Sequence, residues 1–163
     1  MTQEHLKTRG PNSTFEATGD EFKGVLLALV AWREARGEGD SPGEKLDAMR
    51  AVMHVIRNRV AAGWGDWDDV ITRRNQFAAM SVPGDSQLVV WPDEDVPLFM
   101  AAMGLANTVY YGEDRDPTGG ALYYANTKHL NQPWFSEWFR RDIVGNPTKH
   151  PQTVCIRNHS FFA

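Results

Sequence analysis

With 163 residues, the chain has the length of one ordinary domain, and a globule of that size buries roughly 68–70% of the surface of its unfolded chain. Hydrophobic residues make up 42% and charged residues 23%, the balance of a water-soluble fold, and a net charge of -4 excludes a global basic field for nucleic acid. Cys155 is the single cysteine, which excludes an intramolecular disulfide and a cysteine-based zinc site; taken alone, it reads as a small buried hydrophobe.

The first residues, "MTQEHLKTRGPNSTFEATGD", contain no apolar core region and read as a polar arm over 1–20, not as a secretory signal. One domain is expected over 21–163. The apolar run at 22–32 is too short, and too soon interrupted by charge, to span a bilayer. The expectation is a monomer made in the cytoplasm without a signal peptide, with no stable membrane insertion.

The first predicted helix runs from Asp20 to Arg36. Asp20 can cap it, and Phe22, Val25, Leu26 and Leu29 recur at i, i+3, i+4 and i+7. Gly37 and Gly39 supply a stop. "DSPGEK" opens a second helix from Gly43 to Ala62, with a buried stripe of Leu46, Met49, Met53, Ile56 and Val60. A third, shorter helix is expected in "DWDDVITRR", with Asp66 or Asp68 near its start. "SVPGDSQLVVWPDED" reads as a loop around a brief extended segment. A fourth helix, Asp95 to Tyr111, carries Pro97 in its first turn and Phe99, Met103, Ala106 and Tyr110 on its apolar face.

After Gly112 the character changes. "DRDPTGG" is turn chemistry, while "ALYYAN" and "TVCIRNHSFF" each have the content of a strand. The fold class is therefore α+β, mainly helical with a small β region. Between those strands, Trp134, Phe135, Trp138 and Phe139 alternate with polar and charged residues. They read either as an exposed aromatic stacking platform or as a short amphipathic helix completing the core, and the helix is the preferred reading.

The chemistry begins at "AWREARGEGD". Arg33 and Arg36 fall where Leu29 predicts further core, and Glu34 sits at the edge of the stripe beside Val30. An apolar face replaced by charge in its last turn is what a helix shows when it leaves the core and enters a cleft. The last turn of a helix and partial burial both favour the protonated form of a carboxyl. A proton held near neutrality is what glycoside cleavage needs for its leaving oxygen. The competing reading is a solvated salt-bridge cluster at a helix end.

"EARGEG" after an apolar helix, then "AVMHVIRNRV", "QF", "DPTGGALYYAN" and "IRNHSFF", resembles the SleB/CwlJ-type cell-wall hydrolases over about residues 24–163. The resemblance implies a lysozyme-like, transglycosylase-like domain that cuts the MurNAc–GlcNAc β-1,4 bond of peptidoglycan glycan strands. It implies Glu34 as the one catalytic acid, closing a 1,6-anhydro ring without the second carboxylate of two-residue glycosidases. Glu38 is a further expected groove residue, Gln76 and Phe77 would line the groove, and Tyr124 with Tyr123 and Asn126 would meet N-acetyl groups. His159 would orient a partner there, and Asn58 and Arg59 would pin the second helix.

No cofactor or metal is expected, since none of the five histidines lies in an H-E-x-x-H pattern. Two alternatives stay open. One is a hydrolytic muramidase using Glu38, Asp40 or Asp116 to activate water; the other is a non-catalytic wall-binding or virion protein. The expected setting is a phage endolysin reaching the wall after the membrane has been permeabilised.

Overall fold

The computed structural model describes residues 19–73, 77 and 96–163. The polar arm up to residue 18, Gln76 and the "SVPGDSQLVVWPDED" loop lie outside the described residues. Four helices come first: α1 (Gly19–Ala35), α2 (Pro42–Ala61), α3 (Trp67–Thr72) and α4 (Val96–Tyr110). They match the four helices expected from periodicity, with ends shifted by one to a few residues. The starts of α2 and α3 follow local chemistry. Ser41 and Glu44 form a capping box with Pro42 in the first turn of α2, and Asp66 and Asp69 form another for α3.

α1 is not the one-faced helix that its spacing suggests. Leu26, Leu27, Ala28, Leu29, Val30 and Ala31 are all fully buried, because α2, α3 and α4 each pack against it. A helix apolar on every side is a central one. Each Leu or Val buried there contributes about 1.5–3 kcal/mol against exposure. Trp32 meets Phe99 of α4 edge-on, with centroids 6.3 Å apart.

The β region is a three-stranded antiparallel sheet in the order β1-β3-β2, from β1 (Tyr123–Ala125), β2 (Gln152–Ile156) and β3 (His159–Phe162). "TVCIRNHSFF" is therefore a hairpin, not one strand. Arg157 turns the chain with a φ of 54°, and Ile156 pairs with His159. Because β2 lies at the sheet edge, Cys155 faces solvent, which corrects the expectation of a buried thiol. Ala51 and Val55 of α2 pack with Ala121 and Phe161, joining sheet to helices.

The segment between β1 and β2 divides its aromatic residues between core and surface. After a 3₁₀ turn (Thr127–His129) it forms a six-residue π-helical turn, Phe139–Val144. Phe139 and Ile143 are buried with Phe162, with Phe135 packed alongside. Trp134 and Trp138 remain outside, 68% and 51% exposed. Among the described residues, no helix is long and apolar enough to cross a membrane.

Candidate active site

α1 carries Glu34 in its last turn and then ends in a tightly held loop. The Glu38 amide bonds to the Ala35 carbonyl, and the Asp40 amide donates to Glu44 Oε2 at 2.7 Å. Gly39, at a φ of +82°, lies so close to Glu44 that an added Cβ would sit 2.5 Å from the Glu44 Cβ. The Arg36 guanidinium lies 4.1 Å from the Trp32 ring centroid.

Glu34 opens into a cleft of about 710 Å³ between the helices and the sheet. Arg59, Trp64, Tyr123, Tyr124, Ala125, Ser136, Trp138, Phe139 and His159 complete its lining. Tyr124 is the residue tied to the acid: its hydroxyl donates to Glu34 Oε2 at 3.4 Å. Its ring stacks on Phe161 at 5.5 Å and meets His159 edge-on at 5.3 Å. Burial raises the Tyr124 phenol well above its ordinary value, and the Glu34 charge adds to this against the pull of Arg59. Tyr124 therefore keeps its proton and serves as a donor.

Arg59 is buried, and burial lowers its pKa while the two tyrosines oppose that. Its Nε donates to the Leu122 carbonyl at 2.8 Å, fixing the start of β1. The guanidinium lies over Trp64 and Phe77, at 5.1 and 5.5 Å from their centroids.

β1 is delivered to the cleft by the "DPTGG" turn, and Asp116 organises that turn. Its carboxylate accepts from the Thr118 amide and hydroxyl, the Gly120 amide and Asn58 Nδ2. Burial opposes ionisation, yet these bonds together hold the carboxyl below its usual range. Asn58 also donates to the Ala121 carbonyl at 3.0 Å. His54, fully buried on α2, meets Asp114 with Nε2 2.7 Å from Oδ2. Asn58 and Arg59 are thus the structural pins that the sequence suggests, and His54 is a pin that the sequence reading missed. Its only signal was a histidine standing between Met53 and Val55 in a buried stripe.

The hairpin tip locks the loop after α1. Asn158 Nδ2 donates to Glu38 Oε2 at 2.9 Å, and Arg157 pairs with Glu44 at 3.1 Å. Glu38 also stands 3.8 Å from His159 Nδ1. Burial lowers the His159 pKa, and the Glu38 charge opposes this.

Of the residues expected at the site, the structure brings Glu34, Tyr124 and His159 together in the cleft. Glu38 supports His159 and the hairpin and is not one of the lining residues. Phe77 is core, 1% exposed beneath Arg59. Asn126 caps the 3₁₀ turn by accepting from the Lys128 amide, and it too is absent from the lining. Gln76 lies outside the described residues. Trp64 and the cleft-facing role of Arg59 were not foreseen. Among the described residues, no group of three or more His, Cys, Asp or Glu side chains is arranged to hold a metal ion.

A carboxyl carried by a helix end into an aromatic-walled cleft, between a helical bundle and a small sheet, defines a lysozyme-like enzyme class. Over residues 43–162 the sequence matches the family described as Cell Wall Hydrolase, and the chain belongs to that family. The fold is similar to the catalytic domain of the germination-specific lytic transglycosylase SleB from Bacillus anthracis. That likeness has a TM-score of 0.59 and 26% identity, over 90% of this chain and 97% of that one. No curated protein is matched. The protein is a peptidoglycan-lytic enzyme of the SleB/CwlJ type. The family match begins after Glu34, so the case for that carboxyl rests on the geometry of the cleft.

Proposed function

We propose that the protein is a lytic transglycosylase that cuts the MurNAc–GlcNAc β-1,4 bond, with Glu34 acting first as acid and then as base. The observation that carries this reading is that Glu34 is the single acidic side chain among the described residues lining the cleft. The other carboxylates considered as water-activating bases are occupied or elsewhere. Glu38 is held by Asn158, Asp116 accepts three hydrogen bonds within its own turn and a fourth from Asn58 of α2, and Asp40 is exposed in the loop.

A one-carboxyl cleft suits an intramolecular reaction. Glu34 gives its proton to the glycosidic oxygen as the bond from C1 breaks, and GlcNAc leaves with a new 4-hydroxyl. The C6 hydroxyl of MurNAc then attacks C1, and its proton returns to Glu34. The product is a 1,6-anhydro ring, and the acid is regenerated without a water nucleophile. Tyr124, donating to Glu34 Oε2, helps to hold the carboxyl in place at the cleft wall.

Mass spectrometry of muropeptides released from purified sacculi tests this reading. Products one water lighter than a reducing end are expected, and Glu34→Gln should abolish their release while wall binding persists. Release of reducing ends would mean hydrolysis, for which His159 is the base that the cleft offers. Unchanged clearing by Glu34→Gln would remove Glu34 from the chemistry altogether.

The setting we propose is phage-driven lysis, a role that a short cell-wall hydrolase would suit and on which the cleft has no bearing. Expression in a bacterial cytoplasm should leave cells intact until the membrane is permeabilised, and lyse them afterwards. Lysis that does not depend on permeabilisation would overturn it.

A further inference from the structure

Three rings of the cleft come from separate parts of the chain and touch. Tyr123 of β1 lies 5.6 Å from Trp64, which precedes α3, and 6.1 Å from Trp138, which precedes the π-helical turn. The rings are inclined at 58° and 60° to one another. Trp138 is the open member, with half its surface exposed.

That exposure is not looseness. The next residue, Phe139, is buried against Phe162 at 5.7 Å, and its amide donates to Ser136 Oγ. Arg140 Nε donates to the Leu130 carbonyl at 2.9 Å and pins the segment from behind. The chain thus fixes a large apolar ring at a cleft wall without burying it. Beside it, Ala125 and Ser136 are small enough to leave room. An equatorially substituted N-acetylhexosamine presents an apolar C–H face of matching size, and a rigid indole is a low-entropy partner for it.

We propose that Trp138, backed by Tyr123 and Trp64, is the stacking wall that holds one N-acetylhexosamine ring of the glycan beside Glu34. The inference deepens the glycosidase reading and rests on it for the identity of the sugar. Trp134, more exposed and packed on His129 at 5.1 Å, does not line the cleft and is the natural control.

The test is calorimetric titration of soluble, peptide-free glycan strands into Glu34→Gln protein, alone and combined with Trp138→Ala, Trp138→Phe or Trp134→Ala. Trp138→Ala should weaken binding about tenfold, with Trp138→Phe restoring most of it and Trp134→Ala changing nothing. In the active background, Trp138→Ala should raise KM by about the same factor and change kcat less than about twofold. Equal affinity with and without Trp138, or no binding by the parent, overturns the wall. If wild type cuts strands while Trp138 has no effect, the wall falls and the glycosidase reading stands. If wild type cuts nothing while binding still depends on Trp138, the glycosidase reading falls and the wall stands.

Discussion

The Tyr124 hydroxyl reaches to 3.4 Å from Glu34 Oε2, tying the first strand of the sheet to the last turn of the first helix. Tyr124→Phe removes this donor and little else, because the ring keeps its stack on Phe161. A hydrogen bond to a charged group is worth about 1.5–3 kcal/mol, and this one is at its long end. A loss of about tenfold in kcat is expected, with a melting temperature lowered by no more than a few degrees. Steady-state kinetics on sacculi, with calorimetry on the same variant, checks both halves.

His159 makes stability depend on pH. Burial holds its folded pKa below the ordinary 6.5, so as the pH falls the unfolded chain takes up this proton first. The folded state should therefore lose stability as the pH falls below 6.5, until the lowered folded value is passed and the loss levels off. Urea midpoints at about pH 7.5 and about pH 5.5 should differ for wild type and converge for His159→Gln. Glu38→Gln should steepen the loss, since the charge opposing the shift is gone.

Asp116 has the opposite chemistry and a lower pH window. Its folded pKa lies below the usual 3.8, so the stability it contributes is present above that value and is lost as the pH falls through the folded one. Asp116→Asn turns an amide donor toward Asn58 and should cost about 1–3 kcal/mol at neutral pH. It should also flatten the acid limb of the stability profile. Because this turn delivers β1 to the cleft, wall clearing should fall with the same variant. An Asp116→Asn protein with unchanged stability would show that the four bonds contribute nothing net.

Gly39→Ala tests the loop behind the acid. The positive φ and the approach to Glu44 both oppose a side chain, so about 1–2 kcal/mol of destabilisation is expected. The added methyl must displace Glu44 from the Asp40 and Ser41 amides, which should lower activity through the loop that follows Glu34. A variant with wild-type melting temperature and activity would show that this loop tolerates rearrangement.

Much of the fold was legible in the chain. The helices were readable because 3.6-residue periodicity and capping boxes are local, lying within one or two turns of the residues that create them. The hairpin was not, because "IRNH" has none of the usual hairpin dipeptides and Arg157 adopts a positive φ without being glycine. Cys155 was misplaced for a related reason: strand content does not reveal which strand becomes the edge.

The site divides along the same line. Charge breaking an apolar stripe marks Glu34 within a single helix, but that pattern alone left a solvated salt-bridge cluster open, and the resemblance singled the residue out. Tyr124, ninety residues away, was suggested only by resemblance, and its bond to Glu34 depends on strand register. Trp64 gave no sign, because nothing near it in the chain distinguishes a cleft tryptophan from a core one. By itself the sequence determined where helices start and stop and where charge breaks the apolar stripe at Glu34, since both depend on neighbours in the chain. Only the tertiary structure decided which rings face that carboxyl, because it alone brings distant side chains within contact range.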